Sequence, residues 1–413
     1  LKDRIAGISL ELPHPRKSFF PAIVDERLLP SKSERNVRHT IVDWLFRFFS
    51  LSFPQIMSSF SALPSRLLLL LVAIPGLGQV TSSPALAEWR TTRINEMSYV
   101  ALTDFAAAFS MKEGEHRKDK REIGFAGESH QLAVKTGTRE AIVDGVRHWL
   151  SFPVLSSGGK AWVSLFDINS TLGPAMSPAS VRQIGKVKTV VFDPGHGGHD
   201  RGGKSPFGYE KDYTLDIVKR ARRILEAKKV KVVQSRLSDS FVELYERPKM
   251  TDNYKDPIFV SIHFNSAGWK PSANGIEVYA LPPLGFPTTG KAPDPILDRR
   301  TCEGNAVEPA SFVLANTMHH TLLGKTGGFD RGVKRARYAV LRHSKVPSIL
   351  IEGAFLTHSQ EAKNIDSAAW REKFAQAVAD GILAYMDLAN EKRLPPRAWD
   401  LGRKSTDEFV WEE

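Results

Sequence analysis

The sequence predicts an α/β protein, a mixed, mostly parallel sheet with helices on both faces, preceded by a small β-rich domain. Three observations predict it. Short apolar strand runs alternate with helical stripes from residue 187 onward. A polar stretch over 174–186, with Pro174, Pro178 and Gly185, separates that region from what precedes it. Before the stretch, the apolar residues follow the two-residue period of half-buried strands, as in Gln131-Leu132-Ala133-Val134-Lys135.

In the C-terminal region, Lys188 to Asp193 reads as a buried strand, and Thr214 to Lys228 as an amphipathic helix with Leu215, Val218, Ala221 and Leu225 on one face. Val230–Val233, Ile258–His263, Gly275–Ala280 and Ser348–Glu352 read as further strands. Ser311–Leu323 reads as helical, and Trp370, Phe374, Val378, Ile382 and Tyr385 form the stripe of a last helix. Strands that alternate with helices argue for a sheet covered on both faces. Residues 281–310, with many Pro and Gly, read as a long loop bordering a site.

The boundaries follow: 1–56 a non-native or disordered extension, 57–87 a signal peptide, 88–173 the β-rich module, 174–186 a linker, 187–389 the catalytic domain and 390–413 a charged tail. Arg66 precedes the apolar run Leu67–Ile74, and Ala85-Leu86-Ala87 supplies small residues before a cleavage point, which predicts export. Pro75 and Gly76 cut the run short of the roughly 20 residues that a spanning helix needs, so no lasting membrane anchor is expected. Met57 stands where such a signal begins.

Within the module, Tyr99–Phe105 and Trp162–Ile168 share the order aromatic, Val, small, Leu, any, Asp, apolar, which predicts two related strand-to-helix units. A single cysteine, Cys302, excludes an internal disulfide framework and a Cys-rich zinc site, so a metal would need His and carboxylate ligands. The net charge of +11, which falls to +7 without residues 1–87, suits anionic polymers such as wall glycans and acidic membrane surfaces. For an exported chain without aromatic residues interleaved among its basic ones, nucleic acid is not the expected partner.

The first strand of the C-terminal region runs into Pro194-Gly195-His196-Gly197-Gly198-His199-Asp200, a histidine among glycines at a strand's C-terminal end, the edge where open α/β sheets bind ligands. A Gly-rich turn of this kind also fits a phosphate cradle. Glu210 precedes the amphipathic helix, and His263 and Glu352 each close a strand, so all three reach the same edge. Two histidines and a carboxylate make a catalytic zinc set with one position open for water, and a second carboxylate then carries protons. Taken singly, His196 also reads as a turn residue, Glu210 as a helix N-terminal charge and His263 as a core histidine.

The run Val190–Gly203 (VVFDPGHGGHDRGG), Glu210-Lys211-Asp212, Val260–Ser266 (VSIHFNS) and Pro347–Leu356 (PSILIEGAFL) resemble, in this order, the zinc-dependent N-acetylmuramoyl-L-alanine amidases of the amidase type 3 family. Arg236, Asp239 and Arg247, and the run Arg331–Lys334, add to the resemblance. It implies zinc ligands at His196, Glu210 and His263, a catalytic glutamate at Glu352, and hydrolysis of the amide between N-acetylmuramic acid and L-alanine in peptidoglycan. Asn265, His199 and Lys334 are the candidate substrate contacts. The family usually carries a small residue at the position of Phe264, and the loop from Leu281 to Pro309 is longer than a minimal version. The module resembles the N-terminal domain of copper amine oxidases, which implies a spacer or wall-facing part; with every candidate ligand beyond it, it is expected to be dispensable for chemistry.

The reading places the protein in the periplasm, cell wall or extracellular space, with peptidoglycan as substrate and an activator protein as a further candidate partner. The competing readings are a zinc peptidase of the peptidoglycan stem and a non-catalytic wall-binding protein.

Overall fold

The computed structural model describes residues 91–391, apart from 95–96, 115–120, 182–184 and 269. The extension over 1–56, the signal segment over 57–87 and all but the first two residues of the 390–413 tail lie outside the described residues. Among the described residues, no helix is long and apolar enough to cross a membrane.

The C-terminal half, the one expected to be catalytic, is built on β10 (Thr189–Pro194), β11 (Lys231–Gln234), β12 (Pro257–Asn265), β13 (Ile276–Ala280), β14 (Asp330–Arg335) and β15 (Ser348–Phe355). They lie in the order β11-β10-β12-β15-β13-β14. All neighbouring pairs are parallel except β13 with β15. The sheet is therefore mixed and mostly parallel, as the strand spacing predicts.

Side-chain alternation divides the core. Val190, Phe192, Ile258, Val260, Ile262, Ile349 and Ile351 belong to one apolar cluster, while Val191, Phe259 and Leu350 belong to another on the opposite face. This is the two-residue period of a strand buried on both sides. Over the first face lie α4 (Glu210–Ala227), α6 (Glu308–Thr326) and α9 (Ala368–Glu391). The short helices α5 (Glu246–Lys249) and α7 (Ala339–Arg342) lie toward the other, where Val340 and Leu341 of α7 join Leu350. Phe264 is buried, its ring 6.1 Å from Phe374 and 6.3 Å from Trp370. Next to His263 it points the opposite way, so the bulky residue at this position fills the helix-covered core.

The module consists of β1 (Thr91–Ile94), β2 (Met97–Ala101), α1 (Leu102–Ala108), β3 (Lys112–Glu113), β4 (Glu122–Ala126), β5 (Gln131–Lys135), β6 (Glu140–Val143), β7 (Val146–Trp149), β8 (Leu155–Ser157) and β9 (Lys160–Ser164), followed by α2 (Leu165–Asp167). Both repeated stretches run from strand into helix, β2 into α1 and β9 into α2, and the two strands pair with each other. At the second turn Ser164 accepts the Asp167 N–H, and the buried Asp167 accepts the Ser151 and Phe152 amides.

Strands β1-β2-β9-β8 form one sheet. Strands β3 to β7 form an antiparallel meander that does not stand apart. Its last strand, β7, pairs with β14, and the meander continues the catalytic sheet to eleven strands. The polar stretch after the module contains α3 (Gly173–Met176) and a 3-10 turn over Pro178–Ser180, with Ala175 and Met176 in the same apolar cluster as the catalytic sheet.

Candidate active site

Strand β10 is flanked by β11 on one side and β12 on the other, so the chain leaves it in opposite directions. Such a switch point opens a crevice at the C-terminal ends of the strands. A cavity of about 310 Å³ lies there, lined among others by Asp193, His196, Glu210, His263, Asn265 and Glu352. Leu244, Tyr338, Val340 and Leu350 give it an apolar wall.

His196 sits in the left-handed region at φ 61°, which costs a non-glycine residue on the order of 1 kcal/mol or more. Two buried guanidinium groups hold the turn in place. Arg247 donates to the carbonyls of Val242, Pro194 and His196 and to Asp193 Oδ1 at 2.8 Å. Arg236 donates to the carbonyls of Pro194, Gly195 and Lys211. Asp193, fully buried, also accepts the hydroxyls of Ser235 and Ser261. From outside, Lys211 reaches the Gly198 carbonyl and Asp239, which in turn accepts the Gly198 N–H.

His196 Nδ1 is 2.8 Å from Asp200 Oδ2. A carboxylate only accepts, so Nδ1–H is the donor, and the bond holds the ring with Nε2 turned toward Glu210. Glu210 stands at the start of α4, where the helix dipole favours an anion. Its Oε2 accepts the Gly203 N–H at 2.7 Å, and its Oε1 accepts the Phe264 N–H at 3.0 Å. Oε1 also lies 3.1 Å from His196 Nε2 and 2.9 Å from His263 Nδ1. One donor atom from each of His196, Glu210 and His263 lies within 4.8 Å of the others, a group that could hold a metal ion. Gly202, at φ 65°, is needed there, because a Cβ would stand 2.5 Å from the His196 ring and 2.6 Å from Glu210 Oε2.

Burial would raise the pKa of Glu210, but the hydrogen bonds and charges of His196 and His263 outweigh it and hold the carboxyl below the glutamate range. For His196 burial works downward, and Glu210 and Asp200 together push its value up. Glu352 is the opposite case. Burial, then the neighbouring carboxylates of Glu210 and Glu277, push its pKa well above the ordinary value. Its Oε2 is buried and has no hydrogen-bond partner among the described residues. An orphaned carboxyl oxygen beside an anionic carboxylate and two imidazoles is a donor set that a divalent cation with open coordination positions fits.

The register explains how these groups meet. Glu352 is the cross-strand partner of His263 on β12 and of Glu277 on β13. Of the candidate substrate contacts, Asn265 lines the cavity, and its Nδ2 is buried without a partner among the described residues. His199 is exposed, its ring 4.2 Å from that of Phe241. Lys334 donates to Glu277 Oε1 at 2.8 Å and stands outside the cavity wall. His319 and His320 are buried in α6, with His319 Nε2 2.7 Å from Asp330. Sequence reasoning missed Asp193, Asp200 and Glu277. The only signal for Asp200 was its place four residues after His196, and for Glu277 its place inside a strand.

The fold and the site define a class, an α/β protein with two histidines and a glutamate that could hold a metal ion at the sheet's carboxyl edge and, beside them, a glutamate with one enclosed carboxyl oxygen. Residues 190–384 match the model of the N-acetylmuramoyl-L-alanine amidase family. The chain is 33% identical over 231 residues to N-acetylmuramoyl-L-alanine amidase LytC of Bacillus subtilis (strain 168), which covers 55% of this chain and 42% of LytC. It is 29% identical over 255 residues to the probable cell wall amidase LytH of Staphylococcus aureus, covering 61% of this chain and 76% of LytH. An N-acetylmuramoyl-L-alanine amidase structure from Clostridium difficile 630 is 33% identical, with 49% of this chain and 98% of that chain covered, at a TM-score of 0.41. The chain belongs to the N-acetylmuramoyl-L-alanine amidase family.

Proposed function

We propose that this protein is a zinc-dependent N-acetylmuramoyl-L-alanine amidase that hydrolyses the amide between the lactyl group of N-acetylmuramic acid and L-alanine in peptidoglycan, acting outside the cytoplasm in wall remodelling or turnover. The observation that carries the reading is the meeting of His196, Glu210 and His263 beside a glutamate whose buried Oε2 has no partner among the described residues.

His196, Glu210 and His263 would hold the zinc. When bound, zinc polarises the scissile carbonyl and lowers the pKa of water to roughly 7. Asp200 holds the His196 ring in the tautomer that presents Nε2. Glu352 takes the proton of the attacking water and delivers it to the amine that leaves with L-alanine, the work of a general base and then a general acid. Asn265 Nδ2 supplies a donor to a substrate carbonyl, and the apolar wall of Leu244, Tyr338 and Val340 excludes water on the other side. Lys334 is engaged with Glu277, so we assign it to the surroundings of Glu352, and we leave His199 as a contact at the rim.

Digestion of purified peptidoglycan with zinc-loaded and zinc-stripped protein tests the reading. The loaded protein should release stem peptides with a free L-alanine amino group. Release of single terminal amino acids would instead identify a stem peptidase, and retention on the wall without products a binding protein.

A further inference from the structure

The contacts between β7 and β14 join the module to the catalytic site. His148 pairs in register with Val333, and its buried ring lies 2.9 Å from the Asn316 side chain of α6. On either side of it, the Arg147 amide donates to Asp330 Oδ2 at 2.7 Å and the Trp149 indole N–H donates to the Arg331 carbonyl at 2.9 Å. Gly332 lets the two strands approach. Its φ is 95°, and a Cβ would lie 2.9 Å from the Trp149 indole and 3.0 Å from the Arg147 carbonyl. Further along, Arg335 donates to the Ser170 carbonyl, and Phe152 packs edge-on against Phe286 of the long loop. One continuous apolar cluster runs from Val100 and Leu132 of the module to Val190 and Val378 of the catalytic half.

Trp149 reaches toward the chemistry through charges. The Lys334 Nζ lies 5.5 Å from the centre of its ring and also bonds Glu277 Oε1, to which Arg331 donates as well. Glu277 is the cross-strand neighbour of Glu352.

We propose that the module is a built-in half of the catalytic fold, and that Trp149 is a positioning residue that fixes Lys334 and Glu277 beside Glu352. A tethered spacer would keep its own closed core and a solvated edge strand. Here β7 is an interior strand of the sheet, and the catalytic half would lose the partner of β14 if the module left. The expectation of a dispensable module follows from where the ligands lie in sequence; the pairing of β7 with β14 argues against it.

Two arms test this on the full chain. In the first, a protease site is introduced after Gly185, at an exposed position, and the native protein is nicked. The two fragments should elute as one particle and separate only in denaturant; separation into two folded pieces without denaturant would overturn the proposal. This arm does not depend on the amidase reading. The second arm rests on that reading and compares Trp149→Ala and Trp149→Phe on soluble muropeptides. The Ala variant should bind zinc normally and lose about 10-fold in kcat with KM changed less than about 2-fold, the scale of residues that act through a chain of contacts, and Phe should restore most of it. A folded, zinc-loaded Ala variant with wild-type kcat would refute the positioning role. If the wild type cleaves no muropeptide at all, the amidase reading fails while the nicking result still decides the first half.

Discussion

Glu210, buried, and Glu352, half-buried with Oε2 enclosed, are both glutamates at one sheet edge, and their surroundings drive them apart. Glu210 has two imidazoles and two amide N–H groups on it, whereas Glu352 Oε2 has no partner. Glu352→Gln keeps shape and removes the proposed proton carrier, so the variant should hold about one zinc per chain and lose about 100-fold or more in turnover. His263→Ala should instead lose most of the zinc, because three protein ligands are the minimum of a catalytic site. Zinc content and product formation on the same preparations check both; a Glu352→Gln protein without zinc, or with full activity, sinks the assignment. Asp200 touches the metal group only through His196. Asp200→Asn should weaken zinc binding by about 10- to 100-fold, measured by competition with a chromophoric chelator, as expected when the carboxylate that orients a ligand is lost.

At the scale of the element, the end of β10 is held from behind by the Asp193–Arg247 pair, both essentially without exposure. Arg247→Met would strand a buried carboxylate, and its cost should be about 3–5 kcal/mol in urea denaturation, with a loss under about 1 kcal/mol counting against the pairing. The β13–β15 pairing sets up a second, pH-dependent effect. Burial raises the Glu277 pKa, but Lys334, Arg331 and Tyr279 overcome it and bring it down to about 2. A folded value below the unfolded one stabilises the protein above the ordinary glutamate pKa, and that stability is lost as pH falls toward 2. At about 1.4 kcal/mol per pKa unit this amounts to roughly 3 kcal/mol. Between pH 7 and pH 3, wild type should therefore lose more stability than Glu277→Gln; parallel losses would show that the depression is absent.

For the whole molecule, the three proposed zinc ligands come from the β10 turn, the start of α4 and the end of β12. Zinc that binds only this folded arrangement should stabilise all of it, by about 2.7 kcal/mol at a free concentration 100 times Kd. Chelation should lower the melting temperature and zinc should restore it. A melting point that ignores zinc in a protein shown to bind it would mean that the ligands do not meet only in the folded state.

The periodicity of the sequence determined the α/β class, the strands and helices, and the four residues that reach one edge, because a two-residue or 3.6-residue period reports which side chains face a core and where a strand stops. His196, Glu210, His263 and Glu352 were legible for that reason. Periodicity is silent on which strands become neighbours. Only the tertiary structure decided that β13 runs antiparallel to β15 and so brings Glu277 to Glu352, that Lys334 faces Glu277, and that β7 joins β14 across 183 residues from Arg147 to Asp330. Those pairings depend on long-range contacts whose partners carry no mark in the local pattern, so a module with its own turns and strands reads as separate in sequence and continues the catalytic sheet in space.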